Sequence, residues 1–358
     1  MTEAILLVGG QGTRLRPLTT STPKPMLPVA GVPVTIHQIE RARDAGVTRV
    51  VLGTSYRAEV FAERLGDGSD LGVEIAYAVE EVPLGTGGAI RNAAELLTCG
   101  PDDPVMVLNG DVLSGVDYRA LVAGHVASGA ALTMHLTRVV DPTAYGLVPT
   151  GDDGQVLAFR EKPQTPEEIV TDQINAGCYV FTRSVIDVIP AGRPVSVERE
   201  TFPALLDSGV LVRGVVDDAY WLDLGTPWDF VKGSADLVRG IAPWAGHQPV
   251  PYLVLDGAEV SDQAVIGHGT TVGRGARVMG DAVVEGSVLM DGAVVEAGAA
   301  VIDSVIGQRV RIGEGATVVG AVIGDDAVIG ARNELRHGAR VWPGVDLPAT
   351  AVRFSSDA

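Results

Sequence analysis

A six-residue rhythm near the end of the chain constrains its fold more than any other feature. Aliphatic residues recur at Val260, Ile266, Val272, Val278 and Val284. The register slips, resumes at Val295 and Val301, and continues at Ile306, Ile312 and Val318, then Ile323, Ile329, Leu335 and Val341. Between Leu253 and Val341 there is no Phe, Tyr or Trp, and glycine returns every few residues. A period of six with small neighbours is the mark of a β-helix, each six-residue unit forming one face of a triangular coil. Intervals that shrink to five mark corners that lose a residue. At about 18 residues per coil, the stretch predicts roughly five coils. An open-ended coil needs a surface to cap it, so assembly into a homo-oligomer through this region is expected.

The chain ahead of this region reads differently. The apolar run Ala4 to Val8 is short and uninterrupted, as expected of a strand buried on both faces. Val34 to Ala45 has helical spacing and stops at Gly46. Val47–Gly53 is then a strand, Arg57–Leu65 a helix, Val73–Val79 a strand, Gly87–Leu97 a helix and Val105–Leu108 a strand. Weaker strands are expected at Ala131–Leu136, Leu147–Pro149, Val156–Phe159 and Ala176–Phe181, and a helix at Pro227–Val238. Alternating strands and helices predict a mostly parallel sheet with helices on both faces and ligands at the strands' carboxyl ends. Residues 241–252 contain three prolines and no period, which reads as a linker. The expected organisation is therefore 1–240, a linker at 241–252, and the β-helix at 253–350.

Composition excludes several classes. The formal net charge of −18 argues against nucleic acid as a partner. No apolar run reaches membrane-spanning length, and the first strand begins too early for a secretory leader, so a cytoplasmic protein is expected. Cys99 and Cys178 lie far apart, which suits a reducing compartment. The six histidines have no ligand-like spacing, so a zinc site is not expected.

Charge is nonetheless concentrated locally. After Leu7 come Gly9, Gly10 and Gly12, then Thr13, Arg14 and Arg16, and Lys24 between two prolines. Glycine amides with fixed cations at the end of a first strand suit a polyphosphate. The spacing is neither that of a dinucleotide-binding fold nor that of a P-loop. Asn109-Gly110-Asp111 closes the fourth strand, where a carboxylate could bind Mg²⁺ together with phosphate oxygens. Thr226, followed by Pro227 and Asp229, reads as a helix cap.

The string Gly9-Gly10-Gln11-Gly12-Thr13-Arg14-Leu15-Arg16-Pro17-Leu18-Thr19, answered by Pro23-Lys24-Pro25-Met26, resembles the signature of the sugar-1-phosphate nucleotidyltransferases. The resemblance implies a Rossmann-like α/β catalytic domain that joins a nucleoside triphosphate to a sugar 1-phosphate and releases pyrophosphate. By the same resemblance Leu7, Gly9, Gly10, Gly12, Thr13, Arg14, Gly85, Thr86, Asn109 and Asp111 meet the nucleotide. Arg14, Lys24 and Asp111 would be catalytic, with Asp111 and Asp223 holding Mg²⁺. Gly146, Glu161, Lys162, Asn175 and Asp223 would meet the sugar phosphate. Thr86 could bond the base edge or cap its helix, and both readings stay open. The terminal repeats resemble hexapeptide-repeat proteins, which implies a left-handed parallel β-helix.

Within the family, Ser196 to Pro203, the Pro83-Leu84-Gly85-Thr86-Gly87 loop and the single hexapeptide domain are similar to mannose-1-phosphate guanylyltransferases. This favours GTP and mannose 1-phosphate. Thr226 stands where many such enzymes have Gln, and that Thr also appears in thymidylyl- and uridylyltransferases, so a glucose-1-phosphate enzyme active on dTTP or UTP is the alternative. A hexapeptide acyltransferase would need a catalytic His, with only His268 and His337 available. A regulatory paralogue would be expected to have lost the loop cations or the carboxylates, and both are retained here.

Overall fold

The computed structural model describes residues 2–55 and 57–353. The chain divides into two compact units: Met1–Gly10 with Thr35–Trp221, and Gln11–Val34 with Leu222–Ala358. Among the described residues no helix is long and apolar enough to cross a membrane.

The first unit is built on a mixed sheet. Strands β1 (Thr2–Leu7), β2 (Val47–Thr54), β3 (Glu74–Val79) and β4 (Pro104–Asn109) run parallel in the order β3-β2-β1-β4. Consecutive residues Ala4, Ile5 and Leu6 are all buried, so both faces of β1 are covered, as the unbroken apolar run predicts. Helices α1 (Val34–Asp44), α2 (Ala58–Leu65) and α3 (Gly85–Ala93) connect these strands. Further along lie helix α4 (Tyr118–Ser128) and strands β5 (Leu132–Arg138), β6 (Gly146–Leu147), β7 (Arg160–Glu161), β8 (Gln173–Thr182) and β9 (Val212–Val216). Strand β8 is antiparallel to β4 and β5, while β9 is parallel to β5. The core gathers Ile5, Val51 and Val107 of the parallel strands with Tyr179, Phe181 and Phe202.

One expected strand does not form. Val156 makes a single bridge to Thr150 and Gln155 one to Arg213, while 157–159 join no ladder. A short strand follows directly after this stretch, at β7, where Glu161 faces Gly146. A tight turn precedes the stretch, with Gly151 N donating to Gln155 O at 2.9 Å and Gly154 N to Gly151 O at 3.0 Å. The next two amides diverge: Val156 N donates to Val212 O and Leu157 N to Pro149 O, both at 2.9 Å, so no single ladder continues.

His125 of α4 is buried between two hydroxyls, with Nδ1 at 2.9 Å from Thr133 Oγ1 and Nε2 at 3.2 Å from Thr182 Oγ1. Burial without a carboxylate partner lowers its pKa from 6.5 to about 4. The unfolded chain thus takes up a proton near pH 6.5 that the folded chain refuses until about pH 4. This group's share of stability is full above pH 6.5 and is lost as pH falls through that window. The urea midpoint is expected to drop between pH 6.5 and 4, and His125→Gln to flatten that drop. An equal slope in parent and variant would refute the assignment.

The second unit carries the β-helix as three parallel sheets of six, six and five strands. One sheet stacks Leu253, Thr271, Val288, Val305, Val322 and Arg340, so successive coils take 17 or 18 residues. This is the architecture of a left-handed parallel β-helix. The shorter coils coincide with the five-residue intervals, and the register slip in the rhythm is filled by Leu289, which is buried in the coil interior. At the shortened corner a ladder of buried hydroxyls replaces the missing residue. Thr270 Oγ1 accepts from Ser287 N at 3.3 Å, Ser287 Oγ from Ser304 N at 3.1 Å and Ser304 Oγ from Ala321 N at 3.1 Å. Each hydroxyl satisfies a buried amide that would otherwise cost about 1–3 kcal/mol.

Side chains alternate across a strand, so Val288, Val305 and Val322 point outward when Leu289, Ile306 and Ile323 fill the interior. They are nevertheless buried, as is Met290. Helix α5 (Pro227–Val238) belongs to this unit and starts at Thr226 as expected. Thr226 Oγ1 accepts from Asp229 N at 3.2 Å and donates to Asp229 Oδ2 at 2.6 Å. Its Ser234 Oγ accepts from Ala30 N at 2.9 Å and lies 3.2 Å from Thr271 Oγ1. Residues 241–252 contain no helix or strand.

Candidate active site

In the first unit the expected residues gather at the carboxyl ends of β1 and β4. Leu7 is the last residue of β1, and Gly9 and Gly10 continue from it, Gly10 in the left-handed region with φ +107°. The Asn109-Gly110-Asp111 turn is locked to that strand end, because Gly110 N donates to Leu7 O at 2.8 Å. No side chain fits at Gly110: a Cβ would come within 2.5 Å of Leu7 O. The sequence reading missed Gln38 of α1. Its Nε2 donates to Asn109 O at 2.7 Å and to Val112 O at 2.9 Å, clamping both sides of the turn that carries Asp111. A glutamine on the buried face of a helix was the available signal.

Asn109 also abuts the bulge in β8. A Cβ on Gly177 would lie 2.7 Å from Asn109 Nδ2, and the β8–β5 register shifts between Asn175 and Tyr179. Asn175 is fixed by its own neighbours, its Nδ2 donating to the Tyr179 hydroxyl at 2.7 Å and its Oδ1 accepting from Gly177 N at 3.1 Å. Strand β6 pairs with β8 at Leu147–Ile174 and with β7 at Gly146–Glu161, which brings Gly146, Glu161 and Asn175 onto neighbouring strands. Lys162 follows with φ +49°, an unusual conformation for a long side chain, and its Nζ lies 3.3 Å from Glu161 Oε1. Backbone strain of this kind concentrates at functional sites.

Of the two roles left open for Thr86, the helix cap is not the one it takes. Helix α3 is capped at Leu84 without a side-chain bond, so Thr86 is not the cap. Its hydroxyl instead donates to Glu198 Oε2 at 2.7 Å and accepts from Val197 N at 2.9 Å. Ser196 Oγ reaches the same carboxylate at 2.9 Å, and Gly87 N donates to Val195 O at 2.8 Å. The Gly85–Thr86 loop and the Ser196–Glu198 segment are thereby one rigid piece, through the hydroxyl, carboxylate and backbone together.

In the second unit Gly12 leads in the left-handed region into a single turn, Thr13–Leu15, that projects Arg14. The Arg14 guanidinium lies over Gly225, where a Cβ would meet Nη2 at 2.8 Å, and Nη2 is 4.0 Å from Asp223 Oδ2. Lys24, almost buried, reaches the other oxygen of Asp223 at 3.5 Å. Two cations thus converge on one carboxylate. Arg14 keeps 64% of its side chain exposed, which leaves its guanidinium accessible to an anion.

Chemically, the first unit offers a turn with a carboxylate and an amide beside the polar side chains of Glu161 and Asn175, and the second offers a cation pair with a carboxylate. Among the described residues no group of three or more His, Cys, Asp or Glu side chains forms a ready-made metal cage. Isolated carboxylates fit a hard divalent ion of the kind that completes its shell with substrate phosphates. Residues 3–240 match the Nucleotidyl transferase family, and residues 249–353 match the GMPPB C-terminal domain. The chain belongs to the nucleotidyl transferase family. It is 55% identical, over 99% of its length and 98% of the relative's, to "Mannose-1-phosphate guanylyltransferase" of Mycobacterium tuberculosis. It is 42% identical, over 65% of its length and 61% of the relative's, to "Mannose-1-phosphate guanylyltransferase catalytic subunit beta" of Drosophila pseudoobscura. Among solved structures, HddC from Yersinia pseudotuberculosis complexed with GMP-PN superposes with a TM-score of 0.56 at 28% identity, covering 66% of this chain and all of that one. This nucleotidyltransferase family generally uses a divalent metal.

Proposed function

We propose that this nucleotidyltransferase transfers GMP from GTP to α-D-mannose 1-phosphate, forming GDP-mannose and diphosphate. The observation that carries the substrate choice is the 55% identity, along almost the whole chain, to a protein named for that reaction. Thr226 is the one sequence feature that pointed to another base. Its hydroxyl is occupied on both sides by Asp229, so a helix cap accounts for the residue without a nucleobase.

In the proposed reaction an oxygen of the sugar phosphate attacks the α-phosphorus in line. A new P–O bond forms, the bond to the bridging oxygen of the β-phosphate breaks, and diphosphate carries the electron pair away. The attacking monoester is anionic at neutral pH, so no protein base is required. The protein positions the reactants and stabilises charge. Arg14 and the glycine-loop amides bind the triphosphate, with Leu7, Asn109 and Gly85 placing the nucleoside. Thr86 contributes by fixing the Gly85 loop to Glu198. Lys24 and Lys162 offset repulsion between two anionic substrates, and Gly146, Glu161 and Asn175 bind sugar hydroxyls. Asp111 and Asp223 would hold Mg²⁺, which when bound neutralises phosphate charge. The same reading makes the enzyme a cytoplasmic homo-oligomer joined through its β-helix.

The test is diphosphate release with Mg²⁺, crossing GTP, dTTP, UTP, CTP and ATP against mannose, glucose and N-acetylglucosamine 1-phosphates. GTP with mannose 1-phosphate should win clearly. A preference for dTTP or UTP with glucose 1-phosphate would overturn the base and sugar choice, and silence throughout would overturn catalysis.

A further inference from the structure

The segment that carries both catalytic cations packs in the same compact unit as the β-helix, although more than 200 residues separate them in sequence. The packing runs the length of one β-helix face. At one end, Leu255 of the first coil sits against Gly31, where a Cβ would meet Leu255 Cδ1 at 2.3 Å, and Arg274 Nη1 lies 3.5 Å from Gly31 O. At the other end, Ser21 Oγ donates to Asp325 Oδ2 at 3.0 Å, and Arg340 Nη1 donates to Arg16 O at 2.5 Å. Asp325 is itself fixed, its Oδ1 accepting from Gln308 N at 2.9 Å. The outward Val288, Met290, Val305 and Val322 are buried on this side of the coil.

These contacts bracket the chemistry. Arg16 is two residues from Arg14, and Ser21 three from Lys24. A carbonyl held by a guanidinium and a hydroxyl held by a carboxylate are charge-assisted bonds, stronger and more directional than neutral ones. We propose that Asp325 and Arg340 of the β-helix are positioning residues for nucleotidyl transfer, acting through Ser21 and the Arg16 carbonyl to hold Arg14 and Lys24 in place. On this account the repeat domain is part of the catalytic apparatus without touching substrate. The inference rests on the reading that Arg14 and Lys24 act on the triphosphate. Cations that stabilise a transition state lose effect steeply when displaced, while ground-state binding suffers less.

The experiment compares the full-length parent with Ser21→Ala, Arg340→Gln and their combination, in steady-state diphosphate release from GTP and mannose 1-phosphate, alongside thermal unfolding. The combined variant should lose about tenfold in kcat, with KM for mannose 1-phosphate changed less than twofold. Arg340→Lys, which restores the positive charge, and Ser21→Thr, which restores the hydroxyl, should recover most of the loss. Arg309→Ala removes a β-helix arginine whose partner is Asp326 of the next coil, and should leave kcat unchanged. If the combined variant does not fold, the single variants carry the test: reduced kcat at unchanged Tm supports the proposal. An active parent with variant kcat within twofold would overturn it, as would loss in Arg309→Ala equal to that in Arg340→Gln. A parent inactive on every substrate pair would instead sink the functional reading beneath it.

Discussion

Arg14→Ala is expected to lower kcat by about 10²–10³-fold, the usual cost of removing one preorganised charge from a transition state. Stability should barely change. The side chain is mostly exposed and its approach to Asp223 is 4.0 Å, so little folding energy rides on it. That separation of effects is the diagnostic: a large loss of kcat at a Tm within about two degrees. Arg14→Lys should recover only part of the rate, because an ammonium keeps the charge and loses the planar fork that grips two phosphate oxygens. A kcat for Arg14→Ala within a few-fold of the parent would remove the guanidinium from the mechanism.

Asp111→Ala is the second large effect, again about 10²-fold or more in kcat on the same scale. Its carboxylate rides on a turn that Gln38 clamps through two carbonyls and that Gly110 locks to the end of β1. Those backbone contacts do not involve the Asp111 side chain, so the turn should survive the substitution. If Asp111 helps bind a divalent ion, the variant should need more Mg²⁺ for half-maximal rate, and chelation should silence the parent. A variant with unchanged rate and unchanged Mg²⁺ dependence would assign Asp111 to the fold alone. Gln38 gives the contrast: its amide donates to two carbonyls of the turn, so it holds the backbone that carries Asp111.

Local patterns carried most of the fold. The run Ala4–Val8 announced a doubly covered strand, and the period of six announced the β-helix down to its shortened corners. Leu289 escaped because the slip was read as a gap, when a five-residue corner keeps its apolar position and removes a neighbour. The strand expected at Val156–Phe159 failed for a related reason. Apolar spacing says where side chains point, but not which carbonyls the amides meet, and Val156 N and Leu157 N meet two different segments, at Val212 O and Pro149 O. In the site, Arg14 and Lys24 were legible as a local concentration of cations, while Asp223, expected only by resemblance as a metal and sugar-phosphate ligand, is the carboxylate on which the structure brings them together. The engagement of Thr86 by Glu198 was not, since it joins positions 112 residues apart and neither alone is distinctive. Still less legible was the attachment of the cation loop to the β-helix, through bonds that span 304 and 324 residues.

Because 11–34 reaches from the first coil to the last, the β-helix acts as a gauge of fixed length. Neighbouring strands in a sheet are spaced by about 4.8 Å, so each coil adds that much to the face. Repeat proteins ordinarily gain or lose such units at little cost, since each contacts only its neighbours. Here a 17-residue deletion, however well the remaining coils restacked, would bring Asp325 and Arg340 one rung closer to Leu255. Gly31 or Ser21 would then have to leave its partner. The number of coils is thus set by the span of a loop in another part of the sequence, and insertions are tolerable only beyond Arg340 or ahead of Leu255.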